Sequence, residues 1–166
     1  MKTVEFADIE IRQLNYSNRN EVSEFYNIFW NIPAEIGDDY LNEQSSEFIE
    51  KCIDHAIASE NETNTFSGIA LFQGKIVGLH VLRKFIECGK IGVHSANLWV
   101  EKKFRNMGIA TKLKFKGEAW ADSLGATFIN ANVLPDNKVM LEMNKSNGFS
   151  VYKINLRKRI NRKPIG

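Results

Sequence analysis

The segment Leu98-Trp99-Val100-Glu101-Lys102-Lys103-Phe104-Arg105-Asn106-Met107-Gly108-Ile109-Ala110 constrains this chain more than any other. It reads as a short apolar strand, a basic turn, and a helix whose first turn holds Arg105-x-x-Gly108-x-Ala110. The first N–H groups of a helix have no partner inside it, and the helix dipole adds partial positive charge at the same end. Small residues at Gly108 and Ala110 let a ligand come close to that backbone. An anion, best of all a phosphate, suits such a turn.

The rest of the chain reads as one α/β domain over residues 1–166, with no repeat, low-complexity tract or linker. Thr3–Leu14 alternates as a first strand. Asn18-x-x-Glu21 has the form of a capping box, and Val22, Phe25, Tyr26 and Phe29 follow it at helical spacing. Pro33 and Gly37 break that helix, and a second begins near Ser45 or Ser46 with Phe48, Ile49, Cys52, Ile53, Ala56 and Ile57 as its apolar stripe. Phe66–Phe72 and Ile76–Phe85 form a hairpin around Gln73-Gly74-Lys75. Gly92–Val100 is the strand that feeds the basic turn, Arg105–Leu124 a helix stopped by Gly125, and Phe128–Val133 a strand. Pro135–Ser146 is a helix capped by Gly148, and Ser150–Leu156 a last strand. The order is βααβββαβαβ.

The turn resembles the acyl-CoA pyrophosphate loop of the GCN5-related N-acetyltransferases (GNAT), written Gln/Arg-x-x-Gly-x-Gly/Ala. The run Asn130 to Phe149 is similar to that family's second signature: a strand, an Asn opening a helix, and a helix ending in Gly148-Phe149. Together the two signatures cover residues 94–152, and the element order above is that of the family's fold. The resemblance implies a mixed, mostly antiparallel central sheet of about six to seven strands flanked by about four helices. It implies acetyl-CoA as acyl donor, with Leu98, Trp99 and Val100 pairing with the pantetheine arm as an added strand would. Arg105, Asn106, Met107, Gly108, Ile109 and Ala110 would hold the pyrophosphate, and Asn132 and Asn137 would complete the cofactor contacts. Asn137 reads equally well as a simple N-cap.

The implied reaction is direct acetyl transfer to an amine. An alkylamine has a pKa of about 10.4 and arrives protonated, so a base must take that proton. His94, at the start of the strand leading to the cofactor, suits the task because its free pKa is about 6.5. In many family members a Tyr four residues before Gly-Phe protonates the leaving sulfur; here that position is Asn144. Asn is no acid, though its amide can donate a hydrogen bond, and a thiol with a pKa of about 8.5 leaves readily without one. No Cys lies in the matching region, which argues against an acyl-cysteine route.

Net charge is only +2 but unevenly spread. Residues 1–66 hold fourteen Asp or Glu against four Lys or Arg, a net −10, and residues 67–166 hold six against eighteen, a net +12. A basic half suits a polyphosphate ligand and an acidic half a cationic acceptor. The break between the first two helices builds the acceptor site in the family. Glu35, Asp38 and Asp39 there, flanked by Trp30 and Tyr40, are the candidate acceptor-binding residues, with core packing as the alternative for the two aromatics.

Three scattered His residues and two Cys without ligand spacing give no metal site. Cys52 and Cys88 read as free thiols. No apolar leader follows Met1-Lys2 and no run of 18 apolar residues occurs, so a cytoplasmic protein without a membrane span is expected. The basic run Arg157–Lys163 has no aromatic platform or groove-binding motif, which argues against nucleic acid as the partner. A small-molecule amine is the expected partner, and a homodimer stays open. Two rival classes also stay open: a non-catalytic acyl-CoA sensor and a basic nucleic-acid-binding domain.

Overall fold

A computed structural model describes residues 8–36, 44–59 and 64–156. The chain divides into two compact units, Met1–Asn132 and Val133–Gly166.

The first unit is built on a five-stranded sheet in the order β1-β2-β3-β4-β5, formed by Ile9–Gln13, Thr65–Phe72, Lys75–Glu87, Lys90–Val100 and Phe128–Ala131. Neighbours are antiparallel except β4 and β5, which are parallel. The two hairpin turns place Gln73, Gly74, Cys88 and Gly89 at positive φ, which closes them in two residues each. On one face lie α1 (Arg19–Ile36) and α2 (Ser46–Ala58). Val22, Phe25, Phe29 and Ile32 of α1 and Ile53 and Ala56 of α2 are buried against Ile69, Leu71, Ile76, Leu79 and Val81. On the other face α3 (Ile109–Ser123) sets Ile109, Leu113 and Ala121 against Ala70, Val77, Leu82 and Val93. Both faces of β3 are therefore covered, and its run Ile76–Leu82 is buried without alternation, as a central strand requires.

Several expectations need correction. α1 runs through Pro33 to Ile36, because a proline removes one backbone donor without being obliged to end a helix near its last turn. The capping box forms only by half: Asn18 Oδ1 accepts from the Glu21 N–H (3.3 Å), but the Glu21 carboxylate turns to Arg12 (2.7 and 2.8 Å) and the Asn15 N–H (2.8 Å). Residues 3–7 of the expected first strand lie outside the described residues. β5 stops at Ala131, two residues short of its expected end. Ser150–Leu156 carries no regular structure, and Val151, Tyr152, Ile154 and Leu156 are exposed. Apolar alternation does not make a strand without a neighbour to bond to. The sheet thus has five strands among the described residues, below the six to seven expected.

The second unit holds α4 (Lys138–Ser146). Asn137 caps it, its Oδ1 accepting from the Met140 N–H (3.1 Å), and Gly148 ends the segment at φ 83°. The helix starts three residues later than its Pro135 suggested.

Candidate active site

The site begins where β4 loses a neighbour. β3 pairs with β4 along Gly78–Glu87, but β5 pairs only from Gly92↔Phe128 to Ser95↔Ala131. From Ala96 to Val100 the outer edge of β4 has no strand beside it among the described residues. Ala96 itself is an extra residue: Val81 faces Asn97 while Leu82 faces Ser95. Such a bulge kinks and twists its strand, and here it sits at the fork between β4 and β5. A free edge of alternating donors and acceptors accepts an extended amide chain as a further strand would.

The edge leads straight into the basic turn. Phe104 is buried against Phe72 (ring centroids 5.2 Å) and pins a short 3₁₀ turn over Lys102–Phe104. Arg105 is extended, Asn106 stands at φ 63° and Gly108 at φ 79°. Two left-handed residues cannot continue a helix, so α3 starts at Ile109, four residues later than expected, and Arg105-x-x-Gly108 forms the turn before it. The first helical hydrogen bond runs from the Lys112 N–H to the Gly108 carbonyl (3.1 Å). The N–H groups of Gly108, Ile109, Ala110 and Thr111 precede it and have no acceptor within the helix. Alternating backbone handedness of this kind gathers N–H groups into an anion-binding concavity. A Cβ at Gly108 would meet nothing within 4 Å, so the space over this backbone is open. Ile109 is buried and Met107 packs on the same apolar cluster, which fixes the turn from below.

Arg105 has a role that the motif did not suggest. Its Nε donates to the Val100 carbonyl (2.8 Å), tying the turn to the end of β4. Leu98 pairs with His80 and packs toward α3, Trp99 pairs with Leu79 and packs toward α1 and α2, and Val100 pairs with Gly78.

His94 lies two residues before the bulge, about 7 Å along the strand, opposite Arg83 on β3 and Asn130 on β5. It is half-buried, and burial, helped by the neighbouring Arg83 charge, lowers its pKa below the usual histidine value. His94 is therefore neutral at pH 7, the state a base requires.

His80, which the sequence presented as an ordinary hairpin residue, is buried beneath α3. Its Nδ1–H donates to the Leu113 carbonyl (3.3 Å) and its Nε2 accepts from the Ser95 hydroxyl (3.0 Å). Burial drives its pKa down to about 4. Gly117 makes the room: a Cβ there would lie 2.6 Å from Leu82 and 3.1 Å from the His80 ring. The signal for this pair was in the sequence, since a glycine in the inward stripe Leu113-Gly117-Ala121 marks a place where something large comes close. Ser95 is the last β4 residue paired with β5, so the pair fixes a hydroxyl at the fork.

The expected acceptor residues fare differently. Trp30 packs edge-on against Phe29 (5.1 Å) and Phe48 (5.2 Å), and its buried Nε1–H has no acceptor among the described residues. Glu35 lies in the last turn of α1; its side chain, and Asp38, Asp39 and Tyr40, lie outside the described residues. The described acids of the N-terminal half are mostly engaged. Glu10 and Glu21 hold Arg12, Glu24 accepts from the Ile76 N–H, Glu47 holds Lys51, and Glu50 and Asp54 hold Arg19. In the second unit, Asn137 is an N-cap and Asn144 is buried on α4. Asn132 is exposed just after β5. Among the described residues no group of three His, Cys, Asp or Glu could hold a metal, Cys52 and Cys88 are free thiols, and no helix is long and apolar enough to cross a membrane.

The sequence profile of the acetyltransferase (GNAT) family matches residues 22–149, which include the turn, the fork and α4. The chain belongs to the GNAT acetyltransferase family. No curated protein matches it. Among solved structures it is similar to an aminoglycoside acetyltransferase, meta-AAC0020, from an uncultured soil metagenomic sample, at 16% identity and TM-score 0.70 over 95% of this chain and 99% of that one. It is similar also to glucosamine-6-phosphate N-acetyltransferase from Arabidopsis thaliana, at 15% identity and TM-score 0.67 over 92% and 99%. A third likeness is to AAC(6')-Iy in complex with the bisubstrate analog CoA-S-monomethyl-acetylneamine, at 17% identity and TM-score 0.68 over 92% and 99%. The TM-scores show that the chain shares the fold of these proteins.

Proposed function

We propose that this acetyltransferase moves the acetyl group of acetyl-CoA directly to a primary amine of a small acceptor that arrives as an ammonium cation. The observation that carries the reading is the left-handed turn at Asn106 and Gly108, set at the N-terminus of α3 and at the end of the β4 edge that no described strand covers. A pyrophosphate and an amide chain in one ligand match that juxtaposition, and CoA has both. Relatives of the same fold supply context: one was solved with a CoA bisubstrate analog, and two carry acceptor amines in their names.

Bound acetyl-CoA supplies an activated thioester. The chain supplies the rest. N–H groups of Gly108 to Thr111 neutralise phosphate charge, and Leu98, Trp99 and Val100 hold the pantetheine arm by their main chain. His94, neutral at pH 7, takes the proton of the ammonium group and leaves a nucleophilic amine. The Asn144 amide offers sulfur a hydrogen bond, and departure as a thiolate needs no acid. The acidic N-terminal half draws a cation toward the molecule at long range, with Asp38 and Asp39 as its proposed short-range partners. Residues 1–166 are read as one domain, because the family match runs through both compact units. Two free thiols and the use of acetyl-CoA suit the cytoplasm.

The test couples binding to turnover. Millimolar CoA should raise the melting temperature, because a ligand of the native state alone stabilises it by about 2.7 kcal/mol at a hundredfold excess over Kd. Thiol release from acetyl-CoA should then depend on an added amine. No thermal shift would remove the cofactor, and a shift without amine-dependent thiol release would leave an acyl-CoA sensor in its place.

A further inference from the structure

Among the described residues, α1 and α2 cover their face of the sheet only as far as Val81 of β3. Their apolar cluster reaches Val81 of β3 and Ala96 and Trp99 of β4. Beyond Val81 the same face carries Arg83 and Phe85, the next residues in alternation, with His94 opposite Arg83 and Gly92 opposite Phe85. β5 adds Phe128 beside Gly92 and Asn130 beside His94. Phe85 and Phe128 meet edge to face at 5.7 Å across the glycine, where a Cβ would lie 2.6 Å from each ring. The result is an open groove of about 450 Å³ lined by Arg83, Lys84, Phe85 and His94.

Arg83 is exposed, and it makes no ion pair or hydrogen bond with any described residue. The contrast with Arg12 and Arg19, each held by two carboxylates, is direct. Among the described residues, no anion faces this cation beside a neutral imidazole and two aromatic rings.

We propose that this groove is an anion subsite of the acceptor. Arg83 takes a carboxylate or phosphate carried by the same molecule whose amine reaches His94. The proposal rests on the acetyltransferase reading and narrows its substrate class: the acceptor is an ammonium compound that also bears an anionic group. The guanidinium forks onto either anion through two parallel N–H donors, which a lysine cannot match. The position fits the chemistry, since His94 and Arg83 lie beyond the bulge from the phosphate turn, toward the start of β4. The pantetheine edge ends there, and an acceptor has to meet the thioester there. Polyamines, with no anion, leave Arg83 opposed to a like charge.

Two measurements test this separately from catalysis. Inorganic phosphate titrated into the cofactor-free protein should raise the His94 pKa, followed through its ring NMR resonances, because an anion on Arg83 cancels the neighbouring positive charge. The same titration of Arg83→Gln should leave the His94 pKa flat. Kinetically, lysine should exceed cadaverine, and O-phosphoethanolamine should exceed ethanolamine, by about 10- to 100-fold in kcat/KM, the range of one charge-assisted bidentate contact. The two pairs tell a carboxylate from a phosphate preference. Arg83→Gln should bring both ratios toward one, and Arg83→Lys should recover part of them. A flat phosphate titration in the wild-type protein, or ratios near one with good turnover, overturns the subsite and leaves the transferase standing. A phosphate response without acetylation of any amine supports the subsite and removes the transferase reading.

Discussion

The turn proposed for the phosphates and the groove proposed for the acceptor are built from different materials. The turn is made of main chain: two left-handed residues, a helix end and a strand edge that no described strand covers, held from below by Phe104 and Ile109. The groove is made of side chains, Arg83, Lys84 and Phe85 on β3 and His94 on β4, with Phe128 brought beside them by β5 from far along the sequence. A main-chain site tolerates many side chains but few backbone conformations. A side-chain site does the reverse. The two regions should therefore fail in different ways when mutated.

The largest effect belongs to the backbone. Gly108→Val puts a β-branched residue at φ 79° and a side chain into the open space over the turn. The left-handed conformation alone costs about 1–2 kcal/mol, which a domain of this size survives. Blocking two or three hydrogen bonds to charged oxygens should weaken CoA by about 10³-fold. Calorimetry of the folded variant checks this, and unchanged affinity would place the cofactor elsewhere. Asn106→Ala, by contrast, keeps a residue that can still reach positive φ and should cost under tenfold.

In the side-chain site, His94→Gln should lower kcat by about 10²-fold with little change in CoA affinity. The sign with pH follows from the lowered pKa of His94. Below that pKa the imidazole is protonated and cannot accept, so kcat/KM should rise with pH through a midpoint under 6.5 and then level off. The variant should lose that acid limb. An unaltered profile would return His94 to a purely structural place opposite Arg83.

These two regions also differ in how far the sequence disclosed them. Arg105-x-x-Gly108-x-Ala110 located the turn because glycine reports backbone geometry directly. Its boundary was wrong by four residues, since Asn106 also adopts positive φ and delays the helix. The groove was invisible, because it needs the β3–β4 register that the two-residue turn at Cys88-Gly89 sets, with Arg83 opposite His94, and the parallel pairing that brings Phe128 beside Gly92. Charge counting is coarser, and the acids it singled out, Glu35, Asp38 and Asp39, have side chains outside the described residues. A net −10 over residues 1–66 suggested carboxylates waiting for a cation, yet most described ones are engaged with Arg12, Arg19, Lys51 or a main-chain N–H. Composition counts charges, and only the fold says which are already matched.

His80 joins the two regions, lying under α3 and bonded to Ser95 at the fork. Its pKa of about 4 in the folded protein lies below the value of about 6.5 for an exposed histidine. The unfolded chain then binds the extra proton between those values. Its contribution is full above about pH 6.5 and is lost as pH falls toward 4, by about 3 kcal/mol. Urea midpoints measured from pH 7 to pH 4.5 should fall accordingly, and His80→Asn should flatten that slope. A steep slope that persists in the variant would assign the effect to other groups.

The smallest effect is expected at Asn144. Its amide stands where many relatives place a phenol, and a donor that only hydrogen-bonds contributes far less than one that transfers a proton. The free thiol pKa, about 8.5, already lets sulfur leave near neutral pH. Asn144→Ala should therefore slow turnover by less than tenfold, a loss within reach of one neutral hydrogen bond. Asn144→Tyr restores an acid at that position and should shift the alkaline limb of kcat toward the phenol pKa if sulfur protonation limits the rate. A loss beyond about 10³-fold in the alanine variant, the scale of full acid–base catalysis, would move this side chain from a supporting donor to the centre of the reaction.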